Sequence, residues 1–366
     1  MNSLHAKYGL KHIINASGRM SILGVSTPSN TVMEAVKQGG QIYVEMDEFI
    51  EKSGEIIAKT LGSEAAAIVN SASSGIALSI AALVTKGNRR MSERLHQESN
   101  PLNEIIMLKG HNVQYGAPVE TMIYLGGGRL VEAGYANEGR AEHIEDAITN
   151  NTAGILYIQS HHSVQKNMLT LEEAWEIAKR NRIPFIVDAA AEEDIHKYIH
   201  YSDLVIYSGS KALEGPTSGI VAGKRKYIDW LRVQFSGIGR SMKIGKENRF
   251  GLLQALEEYM LKKNTNELEI DRLHSLLPLN EINGIKVSIV EDESGRKIYR
   301  ARINIDPNIT KFTAEDITSK LREGNIAIYT RDYGAKQGFF EIDPRPLKED
   351  DIKIIKKKLL QILGGV

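Results

Sequence analysis

The sequence predicts an α/β fold: a mainly parallel sheet covered by helices on both faces, followed by a smaller α+β unit. Three observations predict it. Short apolar runs of strand length alternate with helical patterns through the first part of the chain. Those runs are mostly apolar, as in strands buried on both faces. After about Phe235 the order changes, and strands arrive with fewer helices between them.

The elements follow in order. Asp47 to Leu61 places Phe49, Ile50, Ile56, Ile57 and Leu61 at helical spacing. Ala65 to Val69 is a short apolar strand, and Ser73 to Val84 a helix of small residues. Glu104 to Leu108 is a strand, Ala141 to Thr149 a helix, Ala153 to Gln159 a strand and Leu171 to Arg180 a helix. Pro184 to Val187 is a strand running into Asp188, and Asp203 to Tyr207 and Gly219 to Ala222 are two more strands. Gly245 to Lys262 reads as one long connecting helix. Strands over Ile285–Val290 and Tyr299–Ile305 flank a polar turn, Glu291 to Arg296. Thr313 to Arg322 is a helix, Ile326 to Thr330 and Phe339 to Ile342 are strands, and Asp350 to Ile362 closes the chain as a helix. Ser92 to Pro101 is polar and aperiodic and reads as an exposed loop. Two domains are expected, over residues 1–245 and 246–366.

Composition narrows the function. Hydrophobic residues are 42% and charged residues 25% of the 366, ordinary for a globular protein and unlike a disordered chain. Lys plus Arg is 46 and Asp plus Glu is 46, so there is no global basic excess of the kind that neutralises nucleic-acid phosphates. There is no cysteine, which excludes disulfides, thiolate catalysis and Cys-ligated metals and suits a cytoplasmic location. No stretch approaches the ~20 apolar residues of a membrane span, and no His/Asp/Glu cluster has metal-ligand spacing.

The chemistry concentrates in three places. Asp203-Leu-Val-Ile-Tyr-Ser-Gly-Ser-Lys211 is a strand that ends in Ser208, Ser210 and a lysine. A lysine there can emerge into solvent, as most do, or serve as an amine that a carbonyl cofactor captures as a Schiff base. Pro184-Phe-Ile-Val-Asp188 is a strand ending in a carboxylate. Such an aspartate points into the ligand crevice of a parallel sheet or caps the next helix. Ile68-Val-Asn-Ser-Ala-Ser73-Ser74-Gly75 is a strand, loop and helix start. Its N–H groups can hold a phosphate, or Ser can simply cap the helix. There is no Walker lysine signature and no dinucleotide-binding glycine fingerprint in the right place.

In that order, phosphate loop, Asp and Lys resemble fold-type-I pyridoxal-phosphate enzymes. More narrowly, Ile14-Asn-Ala-Ser-Gly18, Val187-Asp-Ala-Ala190, Ser208-Gly-Ser-Lys-Ala-Leu-Glu-Gly-Pro216 and Asp343-Pro-Arg345-Pro-Leu347 resemble the selenocysteine-synthase-like branch. Within it, Gly110-His-Asn-Val-Gln-Tyr-Gly-Ala-Pro118, Ser160-His-His-Ser-Val-Gln165 and Gly237–Lys246 are similar to the D-glucosaminate-6-phosphate ammonia-lyase group. The selenocysteine synthases carry an added N-terminal region that engages tRNA; here Asn15 comes almost at once, so that region is expected to be absent.

The resemblance implies a fold-type-I large domain, pyridoxal 5'-phosphate as cofactor and elimination of ammonia from a 2-amino-3-hydroxy sugar acid phosphate. It implies Lys211 as the cofactor-holding amine and α-proton base, and Asp188 as partner of the pyridine nitrogen. Ser73, Ser74 and Gly75, with Ser208 or Ser210, would hold the phosphate. His111 would stack on the ring, Ser160 and His161 would approach its O3′ side, and His162 would point to the other face by strand alternation. His161 and His162 are candidates for protonating the leaving hydroxyl. A substrate with a carboxylate and a phosphate needs cations, for which Arg19, Arg240, Lys243 and Arg345 are the candidates. The implied partners are a small anionic substrate and further copies of the chain sharing active sites, with no membrane or nucleic acid. The alternatives are seryl-tRNA selenium transfer, another pyridoxal-phosphate reaction on an amino acid, and a non-catalytic binding protein. The last would have no use for both Lys211 and Asp188.

Overall fold

The structure, a computed structural model, describes residues 4–97, 100–262, 266–292 and 296–364. Its strands are β1 (His12–Ala16), β2 (Ala65–Val69), β3 (Glu104–Leu108), β4 (Arg129–Ala133), β5 (Thr152–Ile158), β6 (Phe185–Asp188), β7 (Leu204–Ser208), β8 (Gly219–Gly223), β9 (Ile285–Glu291), β10 (Tyr299–Ile305), β11 (Ile326–Thr330) and β12 (Phe339–Ile342). The chain divides into a larger unit, Pro28–Leu261, and a smaller one made of Met1–Thr27 with Lys262–Val366.

This differs from a division at residues 245 and 246. The helix Lys246–Leu261 stays with the larger unit because it packs on the helix Asn30–Gln41, and its Phe250 stacks on Phe49 at 4.3 Å. The N-terminal segment joins the smaller unit because β1 pairs in parallel with β11, from His12 opposite Ile326 to Ala16 opposite Thr330.

The larger unit is built on a seven-stranded sheet in the order β2-β8-β7-β6-β5-β3-β4. Only β8 runs against its neighbours, so the other six strands end on one edge. Alternation along β2 sends Ala66 and Ile68 into one apolar layer and Ala65, Ala67 and Val69 into the other. Helices cover both faces, as uniformly buried strands require. The free edge of β2 is closed by arginines: Arg232 donates to the Ala66 carbonyl and Arg249 to the Ile68 carbonyl, both at 3.3 Å.

The smaller unit holds an antiparallel sheet, β12-β10-β9, and the β1–β11 pair. Ala301, Ile303 and Ile305 of β10 join Ile14, Phe340, Ile342 and Leu359 in its core. Arg300 and Arg302 take the alternate positions and ion-pair with acids on that other face.

Two expected features shift. The loop read over 92–101 begins inside the helix Arg89–Glu93, with Ser92 buried; residues 98–99 of it lie outside the described residues. So do 293–295 of the turn read over 291–296. Among the described residues no helix is long and apolar enough to cross a membrane.

Candidate active site

The common edge of the larger sheet gathers the chemistry. β6 ends at Asp188, and β7 ends at Ser208, three residues before Lys211. The Asp188 carboxylate accepts the Ala190 N–H at 3.0 Å. Burial pushes this carboxyl above its ordinary range, opposed by the Ala190 N–H and by the nearby Lys211 charge. Asp188 is therefore a desolvated carboxylate with little compensation, facing the field of one lysine.

β2 leads into the helix Ala72–Thr85 through Ser71, whose side chain caps it. The Ser74 N–H donates to Ser71 Oγ at 3.1 Å, the Ser71 N–H donates to Ser74 Oγ at 3.0 Å, and Ser74 Oγ donates to the Ser71 carbonyl at 2.8 Å. The Gly75 N–H is bonded to the Ser71 carbonyl at 3.0 Å. A Cβ at Gly75 would lie 2.9 Å from the Ile206 methyl, so this glycine lets the helix lie close on the sheet. Ser74 and Gly75 thus serve the cap and the packing. The N–H groups of Ala72 and Ser73 are the donors left at the helix start, where the helix dipole favours an anion.

A residue missed in the sequence completes this end. Burial raises the Tyr115 phenol, nearby Ser73 lowers it and the Asp188 charge raises it, while its buried hydroxyl has no hydrogen-bond partner among the described residues. Tyr115 therefore joins Ser73 and Asp188 at one place. Its signal was available in the segment Gly110 to Pro118, but an aromatic in a loop has no periodicity to distinguish it. His111, four residues earlier, is fully enclosed. Its ring sits edge-on to Tyr157 at 4.5 Å, and Nδ1 accepts the Ile158 N–H at 3.4 Å. Burial pushes this imidazole down to about 4, opposed by the Val164 backbone. It is neutral near pH 7, and with Nδ1 accepting, the proton is on Nε2.

The segment after β5 differs from the expected continuation. The strand stops at Ile158, and Ser163 closes a turn by donating to the carbonyls of Ile158 and Ser160 at 3.0 and 2.8 Å. Strand alternation therefore does not extend to His162: the His161 and His162 rings lie together, with centroids 4.0 Å apart. Ser160 Oγ accepts the His162 N–H at 3.2 Å. Ser208 and Ser210 hydroxyls pair at 3.3 Å. The Gly237–Lys246 segment is less loose than a basic linker: it forms a tight turn over Ile238–Arg240, with Ile238 and Met242 packed on the core. Arg240 and Lys243 are exposed. Lys246 instead caps the helix Asn30–Gln41, donating to the Gly39 and Gly40 carbonyls at 2.9 and 3.0 Å.

Arg19 and Arg345 belong to the smaller unit. Arg19 is half-buried. Arg345 grips Asp343 with two bonds, Nε to Oδ1 at 2.9 Å and Nη2 to Oδ2 at 2.7 Å. Asp343 is 0% exposed. Burial pushes its carboxyl up, but Arg345 and Arg300 outweigh that and hold it well below the usual carboxylate range.

The sequence matches the family model for SelA, L-seryl-tRNA selenium transferase, over residues 13–282. It is 42% identical to a D-glucosaminate-6-phosphate ammonia lyase of Salmonella typhimurium, covering 98% of both chains. It is 36% identical to a 5'-C-glycyluridine monooxygenase-decarboxylase of a Streptomyces species, over 97% of this chain and 90% of that one. A solved structure of D-glucosaminate-6-phosphate ammonia-lyase superposes with a TM-score of 0.91 at 40% identity, covering 100% of this chain and 99% of the other. The architecture is that of the fold-type-I pyridoxal-phosphate enzymes, and the chain belongs to the SelA family.

Proposed function

We propose that this protein is a pyridoxal-phosphate-dependent ammonia-lyase that converts D-glucosaminate 6-phosphate to 2-keto-3-deoxygluconate 6-phosphate and ammonia. The observation that carries the reading is the 42% identity to such an enzyme over 98% of the chain. The site fits the cofactor. Asp188 is a buried carboxylate short of positive charge, Lys211 lies within its field, and the helix start offers the Ala72 and Ser73 N–H groups to a phosphate.

Lys211 is assigned as the amine that holds the cofactor, Asp188 as partner of its pyridine nitrogen, and Ser73 as a phosphate ligand with Ser208 and Ser210 beside it. Ser160 and His111 line the same edge. Once bound, pyridoxal phosphate supplies an electron sink for negative charge at the substrate α-carbon. The Lys211 amine, once freed by the substrate amine, would take the α-proton. His161 or His162 gives a proton to the departing 3-hydroxyl, so that water leaves rather than hydroxide. The released enamine tautomerises, and one water converts the imine to a ketone and ammonia. Arg345 takes the substrate carboxylate, and Arg19, Arg240 and Lys243 are assigned to its anionic groups. Because a phosphorylated substrate does not cross membranes unaided, the reaction is placed in the cytoplasm. A homo-oligomer with shared sites is the assembly we assign, to be measured by light scattering.

The experiment incubates the holoenzyme with D-glucosaminate 6-phosphate and measures ammonia and 2-keto acid. Equal amounts of both support the reading. Oxygen consumption with carbon dioxide release, or activity only on seryl-tRNA, would replace it with the chemistry of the other named relatives.

A further inference from the structure

The polar face of the smaller sheet carries a chain of alternating charges that reaches far behind Arg345. Asp343 Oδ2 accepts Arg345 Nη2 at 2.7 Å and also Arg300 Nε at 3.1 Å. Arg300 Nη1 continues to Asp292 Oδ2 at 2.8 Å. Arg296 closes the chain with Nε on Asp292 Oδ1 at 3.0 Å and Nη2 on Oδ2 at 2.9 Å. The Arg300, Asp292 and Asp343 side chains are 4%, 3% and 0% exposed, so the middle of the chain is screened from water. The turn after β1 closes over it: Gly18 has φ +94°, and a Cβ there would lie 2.9 Å from Asp343 Oδ2.

An Arg345–Asp343 pair alone is neutral, and the aspartate would repel any anion that the arginine attracts. Arg300 stands between Asp343 and Asp292, whose other sides are held by Arg345 and Arg296. Arg300 draws on the same Asp343 oxygen that Arg345 grips, so it both fixes the carboxylate and withdraws its negative charge from Arg345. Arg300 Nη2 has no hydrogen-bond partner among the described residues. Arg331 also lies near Arg300 and is paired with Glu341 Oε2 at 3.5 Å.

We propose that Arg300 is a positioning residue: by holding the Asp343 carboxylate that Arg345 grips, it orients Arg345 toward the substrate carboxylate. This rests on the reading of Arg345 as the carboxylate partner, and the test separates the two. Two phosphorylated polyols serve as dead-end probes. D-Gluconate 6-phosphate has the carboxylate, and D-glucitol 6-phosphate has a CH2OH in its place. Their dissociation constants are measured with the holoenzyme, together with KM and kcat for the substrate.

Arg300→Met is expected to weaken D-gluconate 6-phosphate and raise KM by roughly tenfold, as for a lost charge-assisted contact, with kcat little changed. D-Glucitol 6-phosphate binding should stay within about twofold. Arg300→Lys keeps the charge without the fork and should recover part of the loss. Asp292→Asn loosens Arg300 from its other side and should show the same carboxylate-selective split if Arg300→Met does not fold. An equal loss for both probes would make Arg300 merely structural and overturn the proposal. So would unchanged binding of both while Arg345→Met weakens the carboxylate probe alone. If Arg345→Met itself does not discriminate between the probes, the reading of Arg345 falls and takes this proposal with it.

Discussion

Asp188 in the larger unit and Asp343 in the smaller one are both buried, at 9% and 0% exposure, yet their carboxyl groups are shifted in opposite directions. Asp188 has a backbone N–H and a nearby lysine, and burial wins: its carboxyl is pushed up. Asp343 has a bidentate arginine, a second arginine and a backbone N–H, and these win over burial. Desolvation favours the neutral form in both; the number of fixed cationic donors decides the sign. Asp343 is complete within its own unit. Asp188 is left able to gain from a protonated ring nitrogen.

The comparison is sharpened most by Lys211→Ala, which removes the lysine charge acting on Asp188. Turnover should fall by about 10²–10⁴-fold or more, measured as ammonia release with cofactor in excess. The smaller unit responds next. Asp343→Asn leaves Arg300 and Arg345 without their shared counter-charge and should cost about 3 kcal/mol, read from the urea midpoint. Asp188→Asn should lower kcat by on the order of 10²-fold but leave the apo-protein no less stable, because a poorly compensated charge is removed. A loss of several kcal/mol in that variant would contradict the contrast drawn between the two aspartates.

The two carboxylates also give opposite slopes of stability with pH. Asp343 and Asp292 titrate below the unfolded carboxylate value, ~3.9, so their contribution is present above it and lost as pH falls further. Asp188 titrates above that value. Its charge weighs on the folded state at higher pH, and the burden lifts as pH falls through the raised pKa. Urea unfolding of the apo-protein between pH 3 and 7 should show the acid loss flattened in Asp343→Asn and the opposing contribution absent in Asp188→Asn. The smallest effect is expected of Tyr115→Phe. Loss of the hydroxyl beside Ser73 should weaken cofactor binding by about 1 kcal/mol, measured by cofactor titration.

Much of this was legible in the sequence, and the gaps have physical causes. β2, β3, β5, β6, β7 and β8 show as apolar runs because they are buried on both faces. β4, Arg-Leu-Val-Glu-Ala, lies at the sheet edge with charged, exposed positions and leaves no such run. β1 contributes to a unit whose other strands come some 270 residues later, so no local pattern shows that pairing. Asp188 and Lys211 could be read because strand ends mark a crevice. Tyr115 could not, since its place depends on a loop's path. Arg300 and Asp292 look like the solvent side of a strand and a turn; only the register of β9, β10 and β12 reveals that they enclose each other.

The central claim is that Lys211 is the amine that holds the cofactor. Borohydride reduction of the holoenzyme, followed by mass analysis of its peptides, tests it most directly. The prediction is one phosphopyridoxyl group per chain, on the peptide containing Lys211 and absent in Lys211→Ala. A label on another lysine, or bound cofactor that leaves no lysine labelled, would contradict it.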